Sequence, residues 1–155
     1  MKNLLNKFLF SFLLIALSIF SAAAQYNTGD AQLNASLSNI DANASLDFGA
    51  FKTDVSLNYN VSENKINSWS VDLGMKAGDI YMAVELAKIT QKPVDEVVKI
   101  YQQNKSKGWG VMAKQLGIKP GSPEFHALKS SLSGKGKKEK GGGKPAGKPG
   151  NGKKH

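Results

Sequence analysis

Side chains able to do chemistry are few in this sequence. It contains no cysteine and no arginine, so its 21 basic residues are all lysines, set against 12 acids. Thiol catalysis, cysteine-ligated zinc or iron–sulfur sites and disulfides are excluded with the cysteines. His126 and His155 are the two histidines. His126 follows Glu124 at the start of a helical pattern and is the one residue placed to act as a general base. A base also needs a reacting proton within hydrogen-bond reach and a group that orients it, and no such partner stands out. One histidine with scattered carboxylates is short of a metal-ligand set. Asp95-Glu96 falls in a helix's first turn, where acids complement the dipole. Gly108-Trp109-Gly110 and Gly141-Gly142-Gly143 lack the strand and helix that a phosphate loop requires. No catalytic, cofactor-binding or metal-binding residue is therefore expected, and a non-enzymatic protein is the reading.

The residues that could bind something are of another kind. Lys135, Lys137, Lys138, Lys140, Lys144, Lys148, Lys153 and Lys154 are spread through glycine and proline, a polycation suited to phosphates or anionic sugars. A solubilising extension is the alternative reading. Trp109, between two glycines, is either an exposed aromatic platform for sugar or peptide or a core anchor. The sequons at Asn34, Asn43 and Asn60 carry weight only in a eukaryotic secretory protein.

The ends of the chain place these residues. Lys2 and Lys7 precede the apolar run FLFSFLLIALSIF, and small residues at Ala22 and Ala24 suit cleavage before Gln25. Residues 1–24 thus read as a signal peptide, with secretion or delivery to a periplasm as the destination. A single membrane anchor is the alternative, disfavoured by the small-residue exit and the missing basic stop-transfer flank. From Ser133 to His155 no residue is more apolar than alanine or proline, so the segment is expected to be a disordered tail. The net charge of +9 gathers there: residues 135–155 hold eight lysines against Glu139, whereas residues 25–134 hold eleven lysines and eleven acids.

Residues 25–132 are enough for one small domain. Ile40, Ala42, Ala44, Leu46 and Phe48 alternate with polar residues, as do Phe51, Val55, Leu57, Tyr59 and Val61. With Gly49-Ala50 between them they predict a β-hairpin whose apolar faces coincide, and AQLNASLS suggests a third strand. From Ser62 the period becomes helical. Ser62 caps a helix carrying Ile66, Trp69 and Leu73 that stops at Gly74. Asp79 is expected to cap the next, whose face is Ile80, Ala83, Val84 and Ala87. Pro93 opens one with Val94, Val97, Val98 and Tyr101. Trp109, Met112, Ala113 and Leu116 form a further stripe ended by Gly117, and Ser122-Pro123-Glu124 starts the last, with Phe125, Leu128 and Leu132. The expected fold is α+β and mostly α: an N-terminal hairpin, then four or five short helices ending in a trihelical, helix-turn-helix-like arrangement.

That layout raises DNA reading, and the charges argue against it. The candidate recognition helix PEFHALKSSL has Lys129 as its one cation, and arginine, the commonest reader of guanine, is absent. The stretch KGWGVMAKQLGIKPGSPEFHALK, preceded by DIYMAVELAKITQKPVDEVVKIYQQNK, resembles a group of short exported proteins common in Bacteroidota-type genomes. They share K-G-W-G-x-x-A-K-x-L-G-I-K-P-G-S-x-E-F-H-A-L-K. The resemblance covers residues 78–129 and implies kinship and export without an activity. The expected partner is an anionic envelope component, a membrane surface or a protein, bound through the basic tail. Sequence-independent nucleic-acid binding is the alternative.

Overall fold

Four short polar side chains break the backbone ladder and start helices. Asp30, Asp47, Ser62 and Ser122 are each in extended backbone, and each accepts a hydrogen bond from the N–H three residues onward. In the computed structural model, which describes residues 26–137, these starts belong to α1 (Ala31–Leu46), α2 (Phe48–Tyr59), α3 (Glu63–Val71) and α7 (Pro123–Lys135). Between α3 and α7 lie α4 (Ala77–Thr90), α5 (Val94–Asn104), a 3-10 turn (Lys105–Lys107) and α6 (Trp109–Gln115). The described residues thus contain seven α-helices and no strand: five from Glu63 onward, where four or five were expected, and two where the hairpin was expected.

The β-hairpin is replaced by α1 and α2, and its supposed third strand is the first half of α1. The reason lies in the arithmetic of the pattern. Ile40 and Ala44 in α1, like Phe51, Val55 and Tyr59 in α2, are four apart, a spacing that fits one face of a helix as well as one face of a strand. The residues that would separate the two are Leu46 and Leu57. They are 74% and 81% exposed, so the alternation beyond the four-residue spacing is not a buried face. Gly49-Ala50 is no hairpin turn. It falls in the first turn of α2, where Asp47 Oδ1 accepts from the Ala50 N–H at 2.8 Å.

Helix α4 is the axis of the fold. Every residue from Ala77 to Ala87 is buried, because α1, α2, α3, α5 and α7 all pack on it. Such a central position requires a helix apolar on nearly all sides, and Asp79 and Glu85 are its buried polar exceptions. Asp79 does not cap it. Lys76 holds the cap position, and Asp79, three residues on, accepts the Lys76 N–H at 3.0 Å. Pro93 sits one residue ahead of α5.

The trihelical arrangement is also overturned. α6 packs on α5 and the 3-10 turn, whereas α7 packs on α1 and α4. Leu128 and Leu132 are fully buried in that seam, and Lys129 pairs with Asp30 at 2.8 Å. The helix that a DNA reader would present is thereby laid against the body, its cation engaged with the cap of α1.

Candidate functional site

The KGWG motif builds a polar centre inside the fold. Gly108 precedes α6 with φ +77, backbone that a side chain disfavours, and this swings Trp109 inward. Trp109 is 3% exposed, so it is a core anchor and offers no platform to a ligand. Its indole N–H donates to Asp79 Oδ1 at 2.7 Å, and the Tyr101 ring stacks on it with centroids 5.1 Å apart. The Tyr101 hydroxyl donates to Asp79 Oδ2 at 3.2 Å. With the Lys76 N–H, the Asp79 side chain takes three donors, the pairing that a polar group only 8% exposed requires.

A second carboxylate stands beside it. Asp41 accepts from the Gly78 N–H at 2.8 Å and from the Tyr26 hydroxyl at 2.8 Å, and burial holds its carboxyl above the usual range. Burial, with these carboxylates nearby, drives the phenols of Tyr26 and Tyr101 well above their ordinary values, so both remain donors. An adjoining cleft of about 370 Å³ is lined by Tyr26, Lys76, Asp79, Tyr101, Lys105 and Trp109. Chemically this centre is saturated: its acceptors are filled and its hydroxyls are held protonated. It locks the segment Tyr26–Gly29 to α4, α5 and α6.

The glycines of the motif serve the same lock. A Cβ on Gly108 would come within 2.6 Å of the Asn27 carbonyl oxygen, and one on Gly110 within 2.6 Å of that of Thr28. The Gly110 N–H donates to the Asn27 carbonyl at 3.1 Å.

Lys135 and Lys137 lie among the described residues, and they differ. Lys135 belongs to α7, so the helix continues past Ser133, where the tail was expected to begin. Its ammonium pairs with Asp54 at 2.8 Å and lies 5.4 Å from the centre of the Tyr81 ring. Lys137 is exposed and, with Lys135, lines a cleft of about 480 Å³ that also includes Leu46, Phe51, Asp54 and Tyr81. Lys138, Lys140, Lys144, Lys148, Lys153 and Lys154 lie outside the described residues, as do residues 1–24 with the expected signal peptide.

His126 is exposed on α7, and among the described residues no carboxylate or hydroxyl bonds its ring. Among the described residues no three His, Asp or Glu side chains cluster as metal ligands, and no helix is long and apolar enough to cross a membrane. Glu85 was overlooked in the sequence. It is buried in α4, where the hydroxyls of Tyr59 and Ser131 donate to it and tie α2 and α7 to the axis. The signal for both Asp79 and Glu85 was there to be read: an acid inside an otherwise apolar helix must find buried donors. No protein-family model, curated protein or solved structure matches the chain.

Proposed function

We propose that the protein is an exported, non-enzymatic interaction module whose basic C-terminal segment binds an anionic partner at the cell envelope. The observation that carries this reading is the division of charge. Residues 26–137 hold thirteen lysines and eleven acids, whereas residues 138–155 hold six lysines and Glu139. The half-buried Asp41 and the buried Asp79 and Glu85 take their donors from within residues 26–137. Lysines spaced by glycine and proline suit phosphate, sulfate or carboxylate groups, through attraction that salt weakens. Export follows from the amino-terminal pattern and from the resemblance of the KGWG stretch to short exported bacterial proteins.

The test compares the chain from Gln25 to His155 with one ending at Lys137, on an anionic polysaccharide matrix and on anionic vesicles across a salt series. The longer chain is expected to be retained more strongly at low salt, with the difference vanishing as salt rises. Equal retention at every salt concentration rules the reading out.

A further inference from the structure

We propose that the 3-10 turn, α6, the loop that follows it and the first turn of α7 form a membrane-docking face, on which lysines meet the phosphates of anionic lipid headgroups and two apolar side chains enter the boundary beneath. This adds a folded contact to the interaction-module reading and does not depend on residues 138–155.

The near-neutral charge of the body conceals an uneven distribution. Residues 26–96 hold five lysines and ten acids, and residues 97–123 hold five lysines and no acid. Those five, Lys99, Lys105, Lys107, Lys114 and Lys119, are all exposed, and among the described residues none forms an ion pair. Local geometry brings some of them together. Val111 and Lys114 are three apart on α6, and with Lys107 of the 3-10 turn they line one cleft together with Pro120 and Phe125. Lys119 immediately precedes Pro120 in the chain.

The apolar members decide between partners. Val111 is 39% exposed and Phe125 is half-buried, both beside lysines. A sugar polymer or a phosphate chain offers nothing apolar to receive them. A bilayer offers both layers in the right order: charge at the headgroups, hydrocarbon just below. Each lysine near an anionic bilayer strengthens binding roughly fivefold, so the loss of three should weaken it on the order of 100-fold.

The experiment uses vesicles of phosphatidylglycerol mixed with phosphatidylcholine, and of phosphatidylcholine alone. The chain begins at Gln25, so the apolar run before it does not contribute, and is compared with the same chain ending at Lys137, which keeps every contact described above. Lys107→Gln/Lys114→Gln/Lys119→Gln should weaken sedimentation with anionic vesicles on the order of 100-fold in the shorter chain. Arginine at the same three positions should restore it. Val111→Ser should weaken it several-fold, and phosphatidylcholine alone should bind none of them.

If the shorter chain fails to bind, or binds equally well with the three glutamines, the docking face is overturned, and the basic-segment reading is decided by the difference between the two chain lengths. If Val111→Ser binds like its parent, the face is a plain polyanion surface and the membrane assignment falls. If removal of residues 138–155 changes nothing while the glutamine variant is inactive, the docking face stands and the basic-segment reading fails.

Discussion

Gly110→Ala adds one methyl group where another segment's backbone already stands. The new Cβ would lie 2.6 Å from the Thr28 carbonyl oxygen and 2.9 Å from its carbonyl carbon. Ordinary contact begins at 3.4 Å, so one backbone must retreat by roughly 0.8 Å to relieve such overpacking. Relief cannot come from a rotating side chain, because both obstructing atoms are main chain. Overpacking of this kind costs about 1–3 kcal/mol, and the strained Gly110 N–H bond to Asn27 adds about 1 kcal/mol if it breaks. Alanine in a helix returns about 0.5–1 kcal/mol over glycine. The net loss is therefore about 2 kcal/mol, which for a urea slope of about 1.5 kcal/mol/M lowers the midpoint by about 1 M. It should be felt first at the segment it displaces: the Thr28 amide, bonded to Asn34 Oδ1 at 3.1 Å, should lose exchange protection before the amides of α4 do. Gly134→Ala is the control, since a Cβ there meets nothing within 4 Å and α7 continues through it. It should gain about 0.5 kcal/mol by the same propensity. Should Gly110→Ala match the parent, or move in the same direction as Gly134→Ala, the lock between Gly110 and Thr28 is wrong.

Two further substitutions test other parts of the account. Ile40→Ala should cost about 2–5 kcal/mol, and Leu46→Ala should stay within about 0.5 kcal/mol, although both lie in the same alternating run; comparable losses in urea unfolding would restore the strand reading. Lys129 holds the Asp30 carboxyl below the usual carboxylate range through their hydrogen bond, with the Leu33 N–H contributing. A depressed folded-state pKa stabilises above the unfolded value near 4 and loses that stabilisation as pH falls through the folded value. Lys129→Gln should therefore destabilise the protein at pH 7, and the difference from the parent should shrink below about pH 4. A gap that stays constant down to pH 2 would show that Lys129 acts through its stem alone.

Helix starts and stops were legible where a local interaction specifies them. Ser62 and Ser122 cap the helices their spacing announced, and Gly117, with φ +91, ends α6. The stripe Trp109, Met112, Ala113 and Leu116 is buried as its period required. The first third of the domain was misread because a four-residue spacing satisfies both periods, and short runs carry too few residues to separate them. Asp79 was expected to cap α4, a local role; it lies three residues inside that cap, and its partners Trp109 and Tyr101 stand 30 and 22 residues away. The acid-free stretch from residue 97 to residue 123 is legible in the sequence, although it vanishes in the net charge of the whole body.

The sequence by itself determined the chemistry that is absent, from cysteine and arginine, and the uneven placement of lysine. It also determined most helix boundaries, because caps and glycines act within three or four residues. Only the tertiary structure decided that α4 is an axis covered by five helices and that α7 lies against α1 rather than beside α6. It alone turned the glycines around Trp109 into a seat for residues 26–29. These outcomes depend on which apolar faces meet and which backbones approach, and such contacts join residues that nothing in the local pattern relates.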